Sequence, residues 1–329
     1  MRNAFLNKFI GVAVLAFTIS TTSWAIAAPS ETGALASGLN SVSNPGFDAK
    51  GEALQKVVMK LNGQLPQGVP NIFAGKPTRG GSNGINFNGG PVMTSGIKIN
   101  IIWYGTWTNT KKNIITNLIT DLNGSPHFNI NSTYYDSAKK AIPNSLTLGQ
   151  QYIDNYSVGT GLTTALSDAN IWTIVTSAAA GANGSSIKDT NAITLVLTSA
   201  DVKKSGFLTS YCGWHTYGSL SGVPVKYSFV GDPGSSSSCA AQVTSPNGDM
   251  GADAMASVIV HEIEEAATDP QLNAWYDSRG YENADKCAWN FGTTSTASGY
   301  KYNLTMNGRR YYIQQNWVNA SGGYCALGY

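Results

Sequence analysis

The sequence predicts a single α+β domain in which a mixed, partly buried β-sheet is flanked by helices and held by two disulfides. Three observations lead there. Between residues 97 and 122 the hydrophobic period changes from two to about 3.6, a strand followed by a helix. Ala192 to Thr198 is a nearly continuous apolar run with β-branched residues, the mark of a buried central strand. All four cysteines, Cys212, Cys239, Cys287 and Cys325, lie in the C-terminal half.

The N-terminus carries Arg2 and Lys8, an apolar run from Phe9 to Phe17, and Ala25-Ile26-Ala27. This is the layout of a secretory signal peptide over residues 1–27. The run is too short to span a bilayer, and no later segment is longer and as apolar, so an exported, membrane-free protein is expected. Removing residues 1–27 takes two basic side chains from the 21 basic and 19 acidic ones, leaving no net formal charge. A nucleic-acid or anionic-membrane partner, each of which needs a basic surface, is therefore not expected, and a monomer is. Residues 28–90 are rich in Gly, Ser, Asn and Pro and read as a lead segment or linker. Ala53 to Leu61 is an amphipathic patch suited to a short helix.

The domain proper is expected over 91–329. Ile97, Ile99, Ile101 and Trp103 alternate with Lys98, Asn100, Ile102 and Tyr104 as a strand. Thr108 or Thr110 then caps a helix carrying Ile114, Ile115, Leu118, Ile119 and Leu122, which ends at Asn123-Gly124-Ser125-Pro126. A polar, Tyr-rich stretch runs from Phe128 to Tyr156. Ser167 caps a second helix through Ile171, Ile174 and Val175 that ends at Gly181, and Val225, Tyr227 and Phe229 alternate as a further strand. Asn307-Gly308 between Tyr300–Met306 and Arg309–Ile313 signals a hairpin, since a type I′ turn needs positive φ at both central positions. An even cysteine number in an exported chain points to disulfides. Of the three possible pairings, Cys212–Cys239 with Cys287–Cys325 is favoured because each closes a loop of moderate length. A metal-thiolate site has no C-x-x-C spacing behind it.

The chemistry concentrates between Asp249 and Cys287. Asp249 or Asn247 can cap a helix whose apolar stripe is Met255, Ile259, Ile263 and Ala266, and which Asp269-Pro270 stops. On it His261 and Glu265 stand at i and i+4, pointing into one space, with Glu262 between them. Zinc hydrolases of the H-E-x-x-H type place two ligands so, and the intervening Glu acts as general base toward the activated water. Here Glu265 replaces the second imidazole. Glu282 is the expected third ligand. Asp285 either orients His261 or is itself the third ligand in place of Glu282. One imidazole and two carboxylates neutralise a divalent ion, weakening activation of water, and harder oxygen donors widen the choice from Zn²⁺ towards Mn²⁺ or Ca²⁺. The rival account is a core histidine beside a solvated acidic helix face.

His215, in Tyr211-Cys212-Gly213-Trp214-His215, is the other notable imidazole: an additional ligand or transition-state donor, or, as favoured from the sequence, a structural loop histidine. His127, after Pro126, reads as a surface turn. No G-x-S-x-G elbow supports a serine hydrolase, and paired cysteines leave no nucleophilic thiol. A carboxylate pair for sugar hydrolysis is available among Glu262, Glu265, Glu282 and Asp285.

Several segments resemble the EXORDIUM-like, or phosphate-induced protein, family: Gly90-Pro91-Val92 through Ile101-Ile102-Trp103-Tyr104-Gly105, the Cys212-Gly213-Trp214-His215 segment, Ser245-Pro246-Asn247-Gly248-Asp249 with Gly251 and Asp253, Thr268-Asp269-Pro270, and Asn307-Gly308-Arg309. They cover most of residues 90–325 in the family's order. The resemblance implies a secreted protein, apoplastic in plants and linked there to growth control, without assigned enzymology. The His261-Glu262 pair departs from the plant pattern, and H-E-x-x-E-x-x-T-D-P resembles microbial relatives with a zincin-like metal helix; Glu264 is charged at a spot usually uncharged in such helices. The resulting expectation is a secreted zinc-dependent hydrolase, a metallopeptidase with a zincin-like domain. Glu262 and His215 would be its catalytic residues, His261, Glu265, Glu282 and Asp285 its metal set, and a peptide or protein its substrate. The alternative is a non-catalytic cell-wall module that holds a glycan on its aromatic residues, any metal being structural.

Overall fold

The computed structural model describes residues 46–50, 52–61, 84–159 and 163–329. The expected signal peptide and much of the lead segment lie outside the described residues. β1 is Val57–Lys60, β2 Asn86–Phe87, β3 Ile97–Tyr104, α1 Asn109–Leu122, β4 Leu146–Asp154, α2 Asp168–Ala180, β5 Ala192–Thr198, β6 Tyr211–Leu220, β7 Val223–Gly231 and α3 Met250–Thr268. Short strands follow: β8 Trp275–Tyr276, β9 Ser295–Ala297, β10 Tyr300–Tyr302, β11 Leu304–Met306, β12 Arg309–Tyr311, β13 Asn316–Val318 and β14 Tyr324–Ala326.

One six-stranded sheet, ordered β1-β6-β7-β5-β3-β4, forms the frame. β3 runs parallel to β4 and β5, and β5 parallel to β7, while β6 and β1 join antiparallel. The expected mixed sheet is therefore present. Every residue of β5 is buried, as a central strand covered on both faces must be. Val57–Lys60 is a strand, not the helix its amphipathic pattern suggested. Val57 and Val58 are β-branched, and β6 offers an edge whose backbone groups they pair, so tertiary pairing overrides the helical period.

The helices divide between the two sheet faces. Trp172 of α2 packs on Tyr227, whose ring meets Trp214, and a Cβ on Gly218 would strike Trp172 at 2.5 Å. α1 and α3 cover the opposite face. Thr108 caps α1 by accepting the Lys111 N–H, and Ser167 caps α2 reciprocally with Asn170. Asp249 caps α3 by accepting the Ala252 N–H at 3.0 Å. Lys111 Nζ reaches both Asp232 at 2.6 Å and Asp249 at 2.9 Å, tying α1 to the end of β7 and the start of α3.

α3 is the element that positions the site. Its expected apolar stripe, Met255, Ile259, Ile263 and Ala266, is buried, but so is every residue from Met255 to Thr268. The sheet, α1, the 128–133 turn and the segments carrying Asn283, Asp285 and Gln314 pack around it, so its four acidic and imidazole side chains near the C-terminal end have only the interior to occupy. Asp269 closes the helix, its N–H bonding Glu265 O at 2.7 Å and its Oδ1 accepting from the Asn273 and Ala274 N–H groups. The disulfides are Cys212–Cys239 and Cys287–Cys325, the favoured pairing. Met306↔Arg309 closes the expected Asn307-Gly308 hairpin, and Asn307 and Gly308 both take positive φ. Among the described residues, no helix is long and apolar enough to cross a membrane.

Candidate metal centre

Three chain segments bring the site together. α3 supplies His261, Glu262 and Glu265 from successive turns. β6 supplies His215, whose side chain points to the α3 face while Trp214 points to the other. Gly213 makes the approach possible: a Cβ there would stand 2.7 Å from Val258 and 2.8 Å from the Glu262 carboxylate. The third segment, Glu282 to Cys287, is a turn fastened by Cys287–Cys325 and by the Asp285 N–H, which donates to Glu265 Oε1 at 3.0 Å.

Among the described residues, two groups place their donor atoms within 4.8 Å of one another: His215, Glu262 and Glu265, and His261, Glu265 and Asp285. His215 Nδ1 lies 3.4 Å from both Glu262 Oε2 and Glu265 Oε2. His261 Nε2 lies 3.0 Å from Glu265 Oε1 and 3.7 Å from Asp285 Oδ1. Glu282 Oε1 is 3.7 Å from His215 Nε2, so it gathers with the β6 imidazole rather than around His261. Donors bound at about 2.0–2.2 Å to one tetrahedral ion stand about 3.3–3.6 Å apart, and the observed separations bracket that range.

Close as they are, these atoms do not satisfy one another. His215 Nδ1 and Nε2, His261 Nε2, both Glu262 oxygens, Glu265 Oε2 and Glu282 Oε2 are buried without a hydrogen-bond partner. Buried polar atoms are almost always paired, since each orphan costs about 1–3 kcal/mol, so a convergent set of orphans fits a cation. The donor set, two imidazoles with four carboxylates, suits zinc and also manganese.

The cluster's protonation reflects burial set against neighbouring charge. Burial opposes the charged form of His215, but Glu262 and Glu265 outweigh it and raise the imidazole to about 9. Burial likewise opposes charge on His261, and Glu265, Glu262 and Asp285 raise it to about 10. Burial would raise Glu265, yet the two imidazoles hold it down to about 2. Glu262 is pushed by burial up to about 7. Glu282 and Asp285 are raised well above the usual range, first by burial and then by the neighbouring carboxylates.

Gln314 faces His261, and its amide orientation is tied to the ring's protonation. Its Oε1 accepts the Trp289 N–H and its Nε2 donates to Ala284 O, leaving the other Nε2 hydrogen facing His261 Nδ1 at 2.9 Å. That orientation matches a ring accepting at Nδ1, and so opposes the protonated ring that the surrounding carboxylates favour. An imidazolium, or a ring ligating through Nε2, carries Nδ1–H instead and requires the amide turned, with its oxygen toward the ring. Nothing in the sequence marked Gln314, which lies 53 residues from its partner.

Two histidine readings change. His215 is a strand residue, fully buried, not a loop histidine: β6 pairs with β1 on one side and β7 on the other, opposite Val57 and Ser228. His127 is no surface residue either. Its Nδ1 lies 3.0 Å from Leu327 O and its Nε2 3.5 Å from Glu264 Oε1, both side chains buried. Burial lowers His127 to about 4 and raises Glu264 to about 8, so the pair meets neutral. The unexpected charge on the α3 helix is thereby removed.

Comparison with known proteins identifies the family. Residues 85–322 match the phosphate-induced protein 1 conserved region. The chain is 33% identical to Protein EXORDIUM-like 3 of Arabidopsis thaliana over 303 residues, covering 78% of this chain and 88% of the relative. It is 30% identical to Protein EXORDIUM of the same plant over 234 residues, 61% and 70% of the two chains. With Protein PHOSPHATE-INDUCED 1 of Nicotiana tabacum it shares 27% over 224 residues, 58% and 67%. No solved structure matches the chain. By the extent of these matches, the chain belongs to the phosphate-induced protein 1, or EXORDIUM-like, family.

Proposed function

We propose that this family member is an extracellular metal-dependent hydrolase acting on peptides or proteins. His261, Glu265 and Asp285 hold the ion, with zinc the first choice and manganese or calcium the alternatives. The observation that carries the reading is the set of unpartnered buried donors converging from α3, β6 and the 282–287 turn. When bound, the ion supplies Lewis acidity. Glu262, next to His261 on α3, takes a proton as general base. His215, 3.4 Å away, is placed to offer a proton to developing negative charge. Asp285, with an 11% exposed carboxylate, marks the side from which a substrate would enter. The zincin-like and microbial features of the reading rest on α3, and export rests on the N-terminal pattern with two disulfides.

A second reading follows from one observation: His215, His261, Glu262 and Glu265 are fully buried, and a closed site is the habit of structural metals. The protein would then be a non-catalytic wall module, with surface aromatics such as the stacked Phe291–Tyr312 pair against a glycan. Elemental analysis with a peptide-library digest separates the two. Wild-type protein that holds metal and cleaves, beside Glu262→Gln protein that holds metal and does not, supports the hydrolase. Wild-type protein that holds metal and cleaves nothing supports the module.

A further inference from the structure

One carboxylate belongs to both donor groups. Glu265 directs Oε1 to His261 Nε2 at 3.0 Å and Oε2 to His215 Nδ1 at 3.4 Å. We propose that Glu265 bridges two divalent cations, the first held with His261 and Asp285 and the second with His215 and Glu262. This rests on the metal reading above and changes two roles in it, since Glu262 becomes a ligand of the second ion rather than a free base and His215 a ligand rather than a proton donor.

The second ion has its own support. His215 is fully buried with both ring nitrogens unpartnered, and so are both oxygens of Glu262. A single ion at His261 leaves all four of those atoms unsatisfied. Glu282 Oε1, 3.7 Å from His215 Nε2, stands by the same imidazole. Charge points the same way. Glu262, Glu265, Glu282 and Asp285 carry four negative charges when ionised, which two divalent cations balance and one does not. A carboxylate binding one ion through each oxygen suits a pair about 3.5–4 Å apart. Gly213 lets Glu262 lie against the β6 backbone beside His215.

The test is metal stoichiometry on the secreted chain, stripped by chelator, reloaded with Zn²⁺ or Mn²⁺ and desalted. Two equivalents in the wild type are expected, falling to one in both His215→Ala and Glu262→Gln. With Mn²⁺, the wild type should lack the isolated six-line resonance because neighbouring ions couple, and His215→Ala should regain it. One equivalent in the wild type, with an isolated Mn²⁺ signal unchanged by His215→Ala, overturns the bridge and leaves the single-metal reading standing. No bound metal overturns both. The wild-type count decides the matter even if a variant does not fold.

Discussion

His215 of β6 and Glu262 of α3, 47 residues apart in the chain, face each other at 3.4 Å with neither side chain reaching solvent. Sheet and helix meet there through polar groups rather than hydrocarbon. Such a contact persists only if protons or a cation satisfy it, and the predictions below turn on which of the two does.

Adding one methyl to the sheet should disturb the whole centre. Gly213→Ala places a Cβ 2.7 Å from Val258 and 2.8 Å from Glu262, forcing α3 outward. Overpacking of this kind costs about 1–3 kcal/mol. Denaturant melts should show that loss, accompanied by weaker metal retention. Gly84→Ala, where nothing lies near the added atom and φ is not positive, is the control.

Metal-free protein should lose stability as pH rises. His215 and His261 are raised to about 9 and 10, so their contribution is complete below about 6.5 and disappears as pH passes those values. Glu262, raised to about 7, acts in the same direction between about 4.5 and 7. Glu265, held at about 2, adds stability that is lost only as pH falls from about 4.5 through 2. Thermal melts in chelator should therefore fall from pH 6 to 10, and saturating zinc should reverse the trend by favouring deprotonated donors.

Replacing Gln314 by Glu should strengthen metal binding. A carboxylate accepts Nδ1–H, fixing the ring with its Nε2 lone pair free, whereas the present amide must turn to do so. Partners of this kind change metal affinity by about 10–100-fold. Competition against a chromogenic chelator reads the change, and equal or weaker affinity would count against His261 as a ligand.

The Cys287–Cys325 staple should matter to the site as well as to the fold. It joins residues separated by 38 in sequence, worth about 4 kcal/mol by loop-closure entropy. Cys287 ends the turn that carries Asp285 and Glu282. Cys287→Ser with Cys325→Ser should lower the melting temperature and weaken metal retention more than the matching change at Cys212 and Cys239.

Much of this was legible in the sequence, and what was not has a common cause. α3 could be bounded from Asp249 and Asp269-Pro270, and β5 from its apolar run, because capping and burial leave local signatures. The i, i+4 placement of His261 and Glu265 is likewise local. His215 reads as a loop residue in the sequence because β6 has no period-two pattern, its large aromatics Tyr211, Trp214 and Tyr217 standing three apart among Gly, Ser and Thr, and only pairing with β1 and β7 makes it a strand. β1 itself mimicked a helix for the same reason. His127, Glu264 and Gln314 owe their roles to partners 200, 137 and 53 residues distant, which no spacing rule reaches.

The central claim is that these buried donors hold a divalent ion, and elemental analysis of the purified secreted protein, wild type beside Glu265→Gln, tests it most directly. Zinc or manganese at one or more equivalents in the wild type, lost in Glu265→Gln while circular dichroism shows the fold retained, is the predicted result. Wild-type protein that stays free of zinc, manganese and calcium after loading at neutral pH, with its fold intact, would contradict it.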